Sequence, residues 1–151
     1  MSVLAATLQV TSPAFTDNST IPSKYSCEGQ NINPAIYIKQ VPAGTQSLAL
    51  ILFDPDAPKG GFTHWVMWNI DPAGMIGENS APGTQGKNGK GDNSYTGPCP
   101  PSGTHHYHFM VYALDTKLDL PSGTGKEQLE NAMKGHILGT GELLGLYEKS
   151  K

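Results

Sequence analysis

The sequence contains no arginine, and its ten lysines are scattered along 151 residues. With no bidentate guanidinium and a net charge of −3 at pH 7, the chain lacks the basic stripe that nucleic-acid binding needs. No apolar run approaches the roughly 20 residues of a transmembrane helix. The first residues also lack the basic and apolar regions of a signal peptide. These absences argue against nucleic-acid partners and transmembrane anchoring, and they predict a cytoplasmic protein.

Cysteine is also scarce. Cys27 and Cys99 are 72 positions apart and form no CxxC motif. A disulfide scaffold normally has more cysteines in a shorter chain. We therefore expect two free thiols, with a disulfide as the less favoured alternative. Free thiols would suit a reducing compartment.

Glycine and proline are plentiful, at 18 and 12 residues. Together with 37% hydrophobic and 15% charged residues, they predict one turn-rich, mostly β domain over residues 1–151. A capping-box pattern at Thr124 to Glu127 and an apolar face ending at His136 predict one helix. The predicted strands are residues 7–10, 35–38, 47–53, 64–70, 106–114 and 139–147.

A stretch of 24 residues, 74–97, contains seven glycines and no long apolar segment. Loops of this length are usually functional or mobile. Two interpretations stay open at this point. The stretch either frames a site or forms a flexible excursion on the surface.

Polar side chains follow the apolar bodies of two predicted strands. Because side chains two apart share a face of a strand, Asp54 and Asp56 continue one face, and His105 and Tyr107 begin another. A strand end that changes from core residues to carboxylate or imidazole predicts a pocket rim. The prolines beside both aspartates indicate either a plain turn or a carboxylate held rigidly beside a ligand. Ala57–Pro58 is a candidate cis peptide.

Four of the five histidines, His64, His105, His106 and His108, lie beside or within predicted strands. A metal site is one interpretation, but His106 and His108 share the strand face opposite His105. We therefore predict no metal. His64 and His105 can instead donate hydrogen bonds to an anion, since imidazole titrates near neutral pH. The plainer alternative is that each is an ordinary surface or core histidine.

Residues 97–103 form a stiff segment with glycine at each end and three prolines between them. Successive backbone N–H groups in such a segment can form an anion-binding nest. The segment lacks the Gly-Lys-Ser/Thr ending of a P-loop. Cys99 near His105 also suggests a Cys–His nucleophile, but no orienting partner or oxyanion hole is evident.

These motifs resemble the phosphatidylethanolamine-binding protein family, also called Raf-kinase-inhibitor-like proteins. The similarity is carried by Asp54-Pro55-Asp56-Ala57-Pro58, by His64-Trp65-Val66-Met67-Trp68-Asn69, and by Gly97-Pro98 continuing through Gly103-Thr104-His105-His106-Tyr107. Asn33-Pro34 and Val41-Pro42-Ala43-Gly44-Thr45 resemble the bacterial and archaeal branch. The similarity extends from about Phe15 to Tyr147.

The resemblance implies an antiparallel Greek-key β-sandwich with one or two short helices and a small anion pocket at one end. It also implies that the backbone N–H of Gly97 meets the ligand's phosphate. Cys99 and Pro101 depart from the family's common loop pattern, and Phe62 is the nearest aromatic residue before His64. The ligand-binding residues that it implies are Asp54, Asp56, His64, Gly97, Pro98, His105, Tyr107 and Tyr147.

The function that we expect is non-enzymatic binding of a phosphate-bearing ligand: a phospholipid headgroup, a nucleotide or a phosphorylated peptide. A kinase or another signalling protein is the expected protein partner, and a homodimer is a further expectation. No cofactor is predicted. One alternative is a hydrolase or isomerase using Asp54, His64 and His105 as acid–base groups. Another is a protein-binding module of the protease-inhibitor type.

Overall fold

A computed structural model describes residues 6–150, which contain ten strands, one α-helix and one turn of 3-10 helix at Ser23–Tyr25. None of the helices in this range is long and apolar enough to cross a membrane. The α-helix α1 is Lys126–Met133. The strands are β1 Ala6–Thr7, β2 Gln9–Thr11, β3 Ser19–Thr20, β4 Ile36–Lys39, β5 Ser47–Asp54, β6 Phe62–Ile70, β7 Met75–Ile76, β8 Thr84–Gln85, β9 Thr104–Leu114 and β10 Ile137–Glu148.

The four long predicted strands are confirmed as β5, β6, β9 and β10. Strand β5 has a continuous apolar sequence because both of its faces are buried. Leu50 and Leu52 face one hydrophobic cluster, whereas Ala49 and Ile51 face another. The strand therefore has no solvent-facing side that would require polar alternation.

The strands form a large sheet, ordered β1-β10-β9-β5-β6-β8 with β3 also beside β10, and a small sheet ordered β2-β4-β7. The expectation of purely antiparallel sheets is wrong, because β1 and β3 each pair in parallel with β10. Each of these two strands has only two residues, so neither contains the alternation by which a sequence announces a strand. The Greek-key connectivity stays a prediction.

Two hydrophobic clusters cover opposite faces of the large sheet. On one face, residues of the small sheet such as Ile36 pack in a cluster with Phe109. On the other face, Trp68 packs in a cluster with Leu129 and Met133 of α1. The central strands β6, β5 and β9 are thus fixed from both sides, and their ends provide a rigid base for a site.

Three local expectations are wrong. The predicted capping box does not form, because the Thr124 hydroxyl donates to the Pro121 carbonyl at 2.7 Å and no side chain caps α1. His136, expected on the helix face, lies beyond the helix end and pairs instead with Asp115. The Ala57–Pro58 bond is trans, as are all the peptide bonds that the structure describes.

Candidate functional site

A cavity opens where β5 ends and where β6 and β9 begin, three strands that lie side by side in the large sheet. Because antiparallel neighbours run in opposite directions, the end of β5 lies beside the beginnings of the other two strands. The cavity has a volume of about 220 Å³. It is lined by Asp54, Ala57, Pro58, Phe62, His64, Lys90, Thr96, Gly97, Cys99, Pro100, Pro101, His105 and Tyr107.

Asp54, His64, Gly97, His105 and Tyr107, all predicted from the sequence, line this cavity. The other three predicted residues, Asp56, Pro98 and Tyr147, are not among its lining residues. The long stretch 74–97 frames the cavity, since Lys90, Thr96 and Gly97 all come from it.

Asp54 holds His105 in place at the base of the cavity. Its Oδ2 lies 2.7 Å from His105 Nδ1, and both side chains are buried. Its Oδ1 accepts the backbone N–H of Asp56 at 2.8 Å. With Nδ1 directed at the Asp54 carboxyl oxygen, Nε2 is the ring nitrogen left for a ligand.

His64 is oriented in the same way, with its Nδ1 2.8 Å from the Thr96 carbonyl oxygen. A carbonyl can only accept, so Nδ1 donates and Nε2 is left free, as in His105. Burial lowers the pKa of His64, although the Thr96 carbonyl and the negative charge of Asp54 act against that effect. The His64 imidazole is therefore neutral at pH 7.

Tyr107 presents a hydroxyl group that has no hydrogen-bond partner among residues 6–150, although it is fully buried. Its ring lies edge-on to His64, with 5.3 Å between centroids. Burial raises its pKa, as does the negative charge of Asp54. The Cys99 backbone N–H opposes that rise, but it is not within normal hydrogen-bond geometry. Tyr107 therefore stays protonated and can donate a hydrogen bond to a ligand.

Gly97 lines the cavity, but its N–H is already used, because it donates to Asn31 Oδ1 at 2.7 Å. The amide that the resemblance assigned to the ligand is therefore occupied in this structure. Glycine is required here by packing, since an added Cβ would lie 2.1 Å from the Tyr25 carbonyl oxygen. Pro98 is buried, and its carbonyl accepts the Cys27 N–H.

Cys27 and Cys99 form a disulfide, with their Cα atoms 5.5 Å apart, so the expectation of two free thiols is wrong. The hypothesis of a Cys–His nucleophile is wrong for the same reason, because a disulfide sulfur is not a thiolate. Sequence spacing could not show this pairing, since it depends on residues 23–31 packing against residues 97–99. The disulfide joins Cys99 in the cavity wall to the segment of residues 23–31, and both cysteines are exposed.

Asp56 and Tyr147 have structural partners away from the cavity. Asp56 accepts hydrogen bonds from the backbone N–H and the ring Nδ1 of exposed His106, which hold its pKa below the ordinary range. The Tyr147 hydroxyl donates to Glu28 and lies 2.9 Å from Ser26 Oγ. Burial is the main cause that raises the pKa of Tyr147, and the hydrogen bond to Glu28 raises it further.

The histidines do not gather into a metal site. His108 pairs with Glu142 on the face of β9 opposite His105. Within residues 6–150 there is no group of three or more histidine, cysteine, aspartate or glutamate side chains that could hold a metal ion.

Sequence reasoning missed Lys90, a cation that lines the cavity. The available signal was its place in Asn-Gly-Lys-Gly-Asp, a tight loop within the long stretch 74–97. Its position next to β6 depends on contacts that only the folded chain provides.

Comparison with known proteins places this chain in a family. The family model described as phosphatidylethanolamine-binding protein matches residues 11–148. A UPF0098 protein of Pyrococcus horikoshii is 49% identical over 149 residues, covering 91% of this chain and 75% of that protein. A crystal structure described as a phosphatidylethanolamine-binding protein homologue from Chlamydia trachomatis is 42% identical, with a TM-score of 0.92, covering 95% of this chain and 99% of its own. The E. coli protein YbcL, described as a member of the mammalian family, has a TM-score of 0.88 at 30% identity, covering 96% of this chain and 100% of its own.

Proposed function

Because this chain belongs to the phosphatidylethanolamine-binding protein family, we propose that it is a non-enzymatic binding protein whose cavity holds the phosphate group of a ligand. The ligand classes are a phospholipid headgroup, a nucleotide or a phosphorylated peptide. A kinase or another signalling protein is the proposed protein partner, and a homodimer is the proposed assembly.

The unpartnered Tyr107 hydroxyl is the observation that carries this proposal. Burying a hydroxyl without a hydrogen bond has a free-energy cost, so such a group in a native cavity calls for an explanation. A ligand oxygen that accepts from Tyr107 removes the cost when it binds. Tyr107, the two histidines and Lys90 all line one small cavity, and a hydroxyl, two imidazoles and an ammonium group together suit an anionic oxygen ligand.

The two imidazoles make phosphate binding depend on protonation. Both histidines direct Nδ1 at an acceptor, so Nε2 is itself an acceptor whenever the ring is neutral. A phosphate can bond to Nε2 only when a proton lies between them, either on the imidazole or on the phosphate. Binding should therefore take up protons and strengthen as the pH falls from 8 to 6.

Two phenylalanine variants test the proposal, with phosphoethanolamine, inorganic phosphate and phosphotyrosine as probes in calorimetric titrations. Tyr107→Phe removes a buried hydroxyl that has no partner, so we expect stability equal to or higher than that of the wild type. Loss of a hydrogen bond to a charged ligand should weaken binding by roughly 10- to 100-fold.

Tyr147→Phe is the matched control. It removes hydrogen bonds to Glu28 and Ser26 outside the cavity, so it should lower stability by about 1 kcal/mol and leave binding unchanged. Absence of saturable binding by the folded wild-type protein would contradict the proposed function. Equal losses of binding in both variants would contradict the role of Tyr107.

The same phosphate esters test the proposal that the protein is not an enzyme. If Asp54, His64 and His105 acted as acid–base groups, prolonged incubation would release inorganic phosphate or convert the ligand. We expect the bound ligand to be recovered intact. Turnover that follows a bell-shaped pH profile would overturn this part of the proposal.

The cytoplasmic location predicted from the sequence loses one of its arguments. Free thiols were expected to suit a reducing compartment, whereas the Cys27–Cys99 disulfide is the state favoured by an oxidising one.

A further inference from the structure

Lys90 is held at the cavity by a tight loop built around a buried side chain. Asn88 is 5% exposed, and its Oδ1 accepts the backbone N–H groups of Lys90 at 2.8 Å and Asp92 at 3.1 Å. Its Nδ2 donates to the Ser94 carbonyl at 2.7 Å. One buried amide therefore closes the loop on both sides of Lys90 and fixes the direction of its backbone.

The loop is also attached to the strand that carries His64. The Gly89 N–H donates to the Thr63 carbonyl at 2.8 Å. A Cβ at position 89 would lie 2.4 Å from the ring of Phe62, another cavity residue, so glycine allows the loop to lie flat against that ring. These contacts place Lys90 beside the cavity as part of its wall.

The charges at the cavity give Lys90 a specific role. Besides the two histidines, Asp54 and Lys90 are the only residues with an acidic or a basic side chain among the cavity-lining residues that the structure describes. Like most lysines that the structure describes, Lys90 forms no salt bridge with an acidic side chain within residues 6–150, so its ammonium group is available to a ligand. Without Lys90, an entering anion would meet only the negative charge of Asp54.

We propose that Lys90 makes the cavity select terminal phosphate monoesters, which are dianions near pH 8, over phosphodiesters, which carry a single charge. The inference rests on the proposed function, because it concerns the ligand of the same cavity. A cation at the rim attracts the second negative charge of a monoester, while the Tyr107 hydroxyl can donate a hydrogen bond to either phosphate. The selected ligand class is therefore a free phosphorylated metabolite or a phosphorylated side chain, rather than the diester of an intact phospholipid.

The test compares Lys90→Met with Lys87→Met in calorimetric titrations at pH 8. Lys87 is an exposed lysine three residues earlier that does not line the cavity, so its variant makes the same change in net charge. The probes are phosphoethanolamine as the monoester and glycerophosphoethanolamine as the diester. They separate the two sources of an ethanolamine phosphate, the free metabolite and the lipid headgroup.

We expect Lys90→Met to weaken phosphoethanolamine binding by about fivefold, and diester binding by no more than about twofold. The monoester effect should shrink in 0.5 M salt, because Lys90 is exposed and its field is screened. Lys87→Met should bind both probes as the wild type does.

Three results would overturn the inference. One is unchanged monoester binding by Lys90→Met, and another is an equal loss for both probes. The third is that the wild-type protein prefers the diester. If the folded wild-type protein binds neither probe, the proposed function fails together with the role of Lys90, and this outcome is distinct from the other three.

Discussion

Replacing Gly97 with alanine would place a methyl group where other atoms already lie. The added Cβ would be 2.1 Å from the Tyr25 carbonyl oxygen, 2.6 Å from Asn31 Oδ1 and 2.9 Å from Ser26 Cα. Two of these atoms belong to the backbone and cannot rotate away. The segment around residues 25–31 would have to move as a unit, although the Cys27–Cys99 disulfide holds it to the same wall of the cavity.

The size of the effect follows from this crowding. Overpacked substitutions usually lower the free energy of unfolding by about 1–3 kcal/mol, and backbone obstacles favour the upper part of that range. For a chain of this length, about 2–3 kcal/mol corresponds to a fall in Tm of roughly 4–12 °C. Because Gly97 lines the cavity, phosphate binding should weaken in the same variant.

The assay is thermal and urea unfolding of Gly97→Ala beside Gly77→Ala. Gly77 lies in the same long stretch, has no positive φ, and would bring its Cβ no closer than 3.6 Å to Ser80 Cβ. It should lose no more than about 1 kcal/mol, the usual cost or gain of a glycine-to-alanine change. If Gly97→Ala is as stable as this control, the packing argument for Gly97 is wrong.

Two further perturbations act on the same region. Replacing both Cys27 and Cys99 with serine should lower the free energy of unfolding by about 2–4 kcal/mol and weaken phosphate binding. Urea unfolding with and without reductant measures the contribution of the disulfide. Equal stability of the wild-type protein in both conditions would contradict this prediction. Burial lowers the pKa of His64, so its stabilisation is present above about pH 6.5 and is lost as the pH falls through the folded-state pKa. The free energy of unfolding in urea should therefore fall less between pH 7.5 and 5 in His64→Gln than in the wild type or in exposed His136→Gln. The difference should be about 1.4 kcal/mol for each unit by which the pKa of His64 is lowered. Parallel pH curves for all three proteins would count against a buried neutral His64.

Much of the candidate site could be predicted because its residues lie at the ends of strong strands. The apolar runs of β5 and β9 fix the alternation of side chains, and that alternation places Asp54, His105 and Tyr107 on one face of the sheet. His64 joins them because the register between β5 and β6 shifts at its position. Strand neighbours in an antiparallel sheet then bring these four together. Periodicity is a local signal, and here it included the strand ends that carry the candidate site.

The parts that could not be predicted depend on contacts between distant segments. Asn31 takes the N–H of Gly97 across 66 residues, and Cys27 reaches Cys99 across 72. Lys90 enters the cavity wall through a loop whose position depends on a strand more than 20 residues earlier. Packing of this kind leaves no period in the sequence. The parallel strands β1 and β3 were hidden for a different reason, since two residues are too few to show alternation.

Because both faces of β5 are buried, the two sides of the cavity differ in how readily their backbone opens locally. Asp54 ends a strand that is paired on both sides and covered on both faces, so its part of the cavity opens only when the central sheet comes apart. The loop that carries Lys90 lies on the surface and can open by itself. Amide hydrogen exchange should therefore differ between the two sides of the cavity, slow at the end of β5 and faster in the loop that carries Lys90.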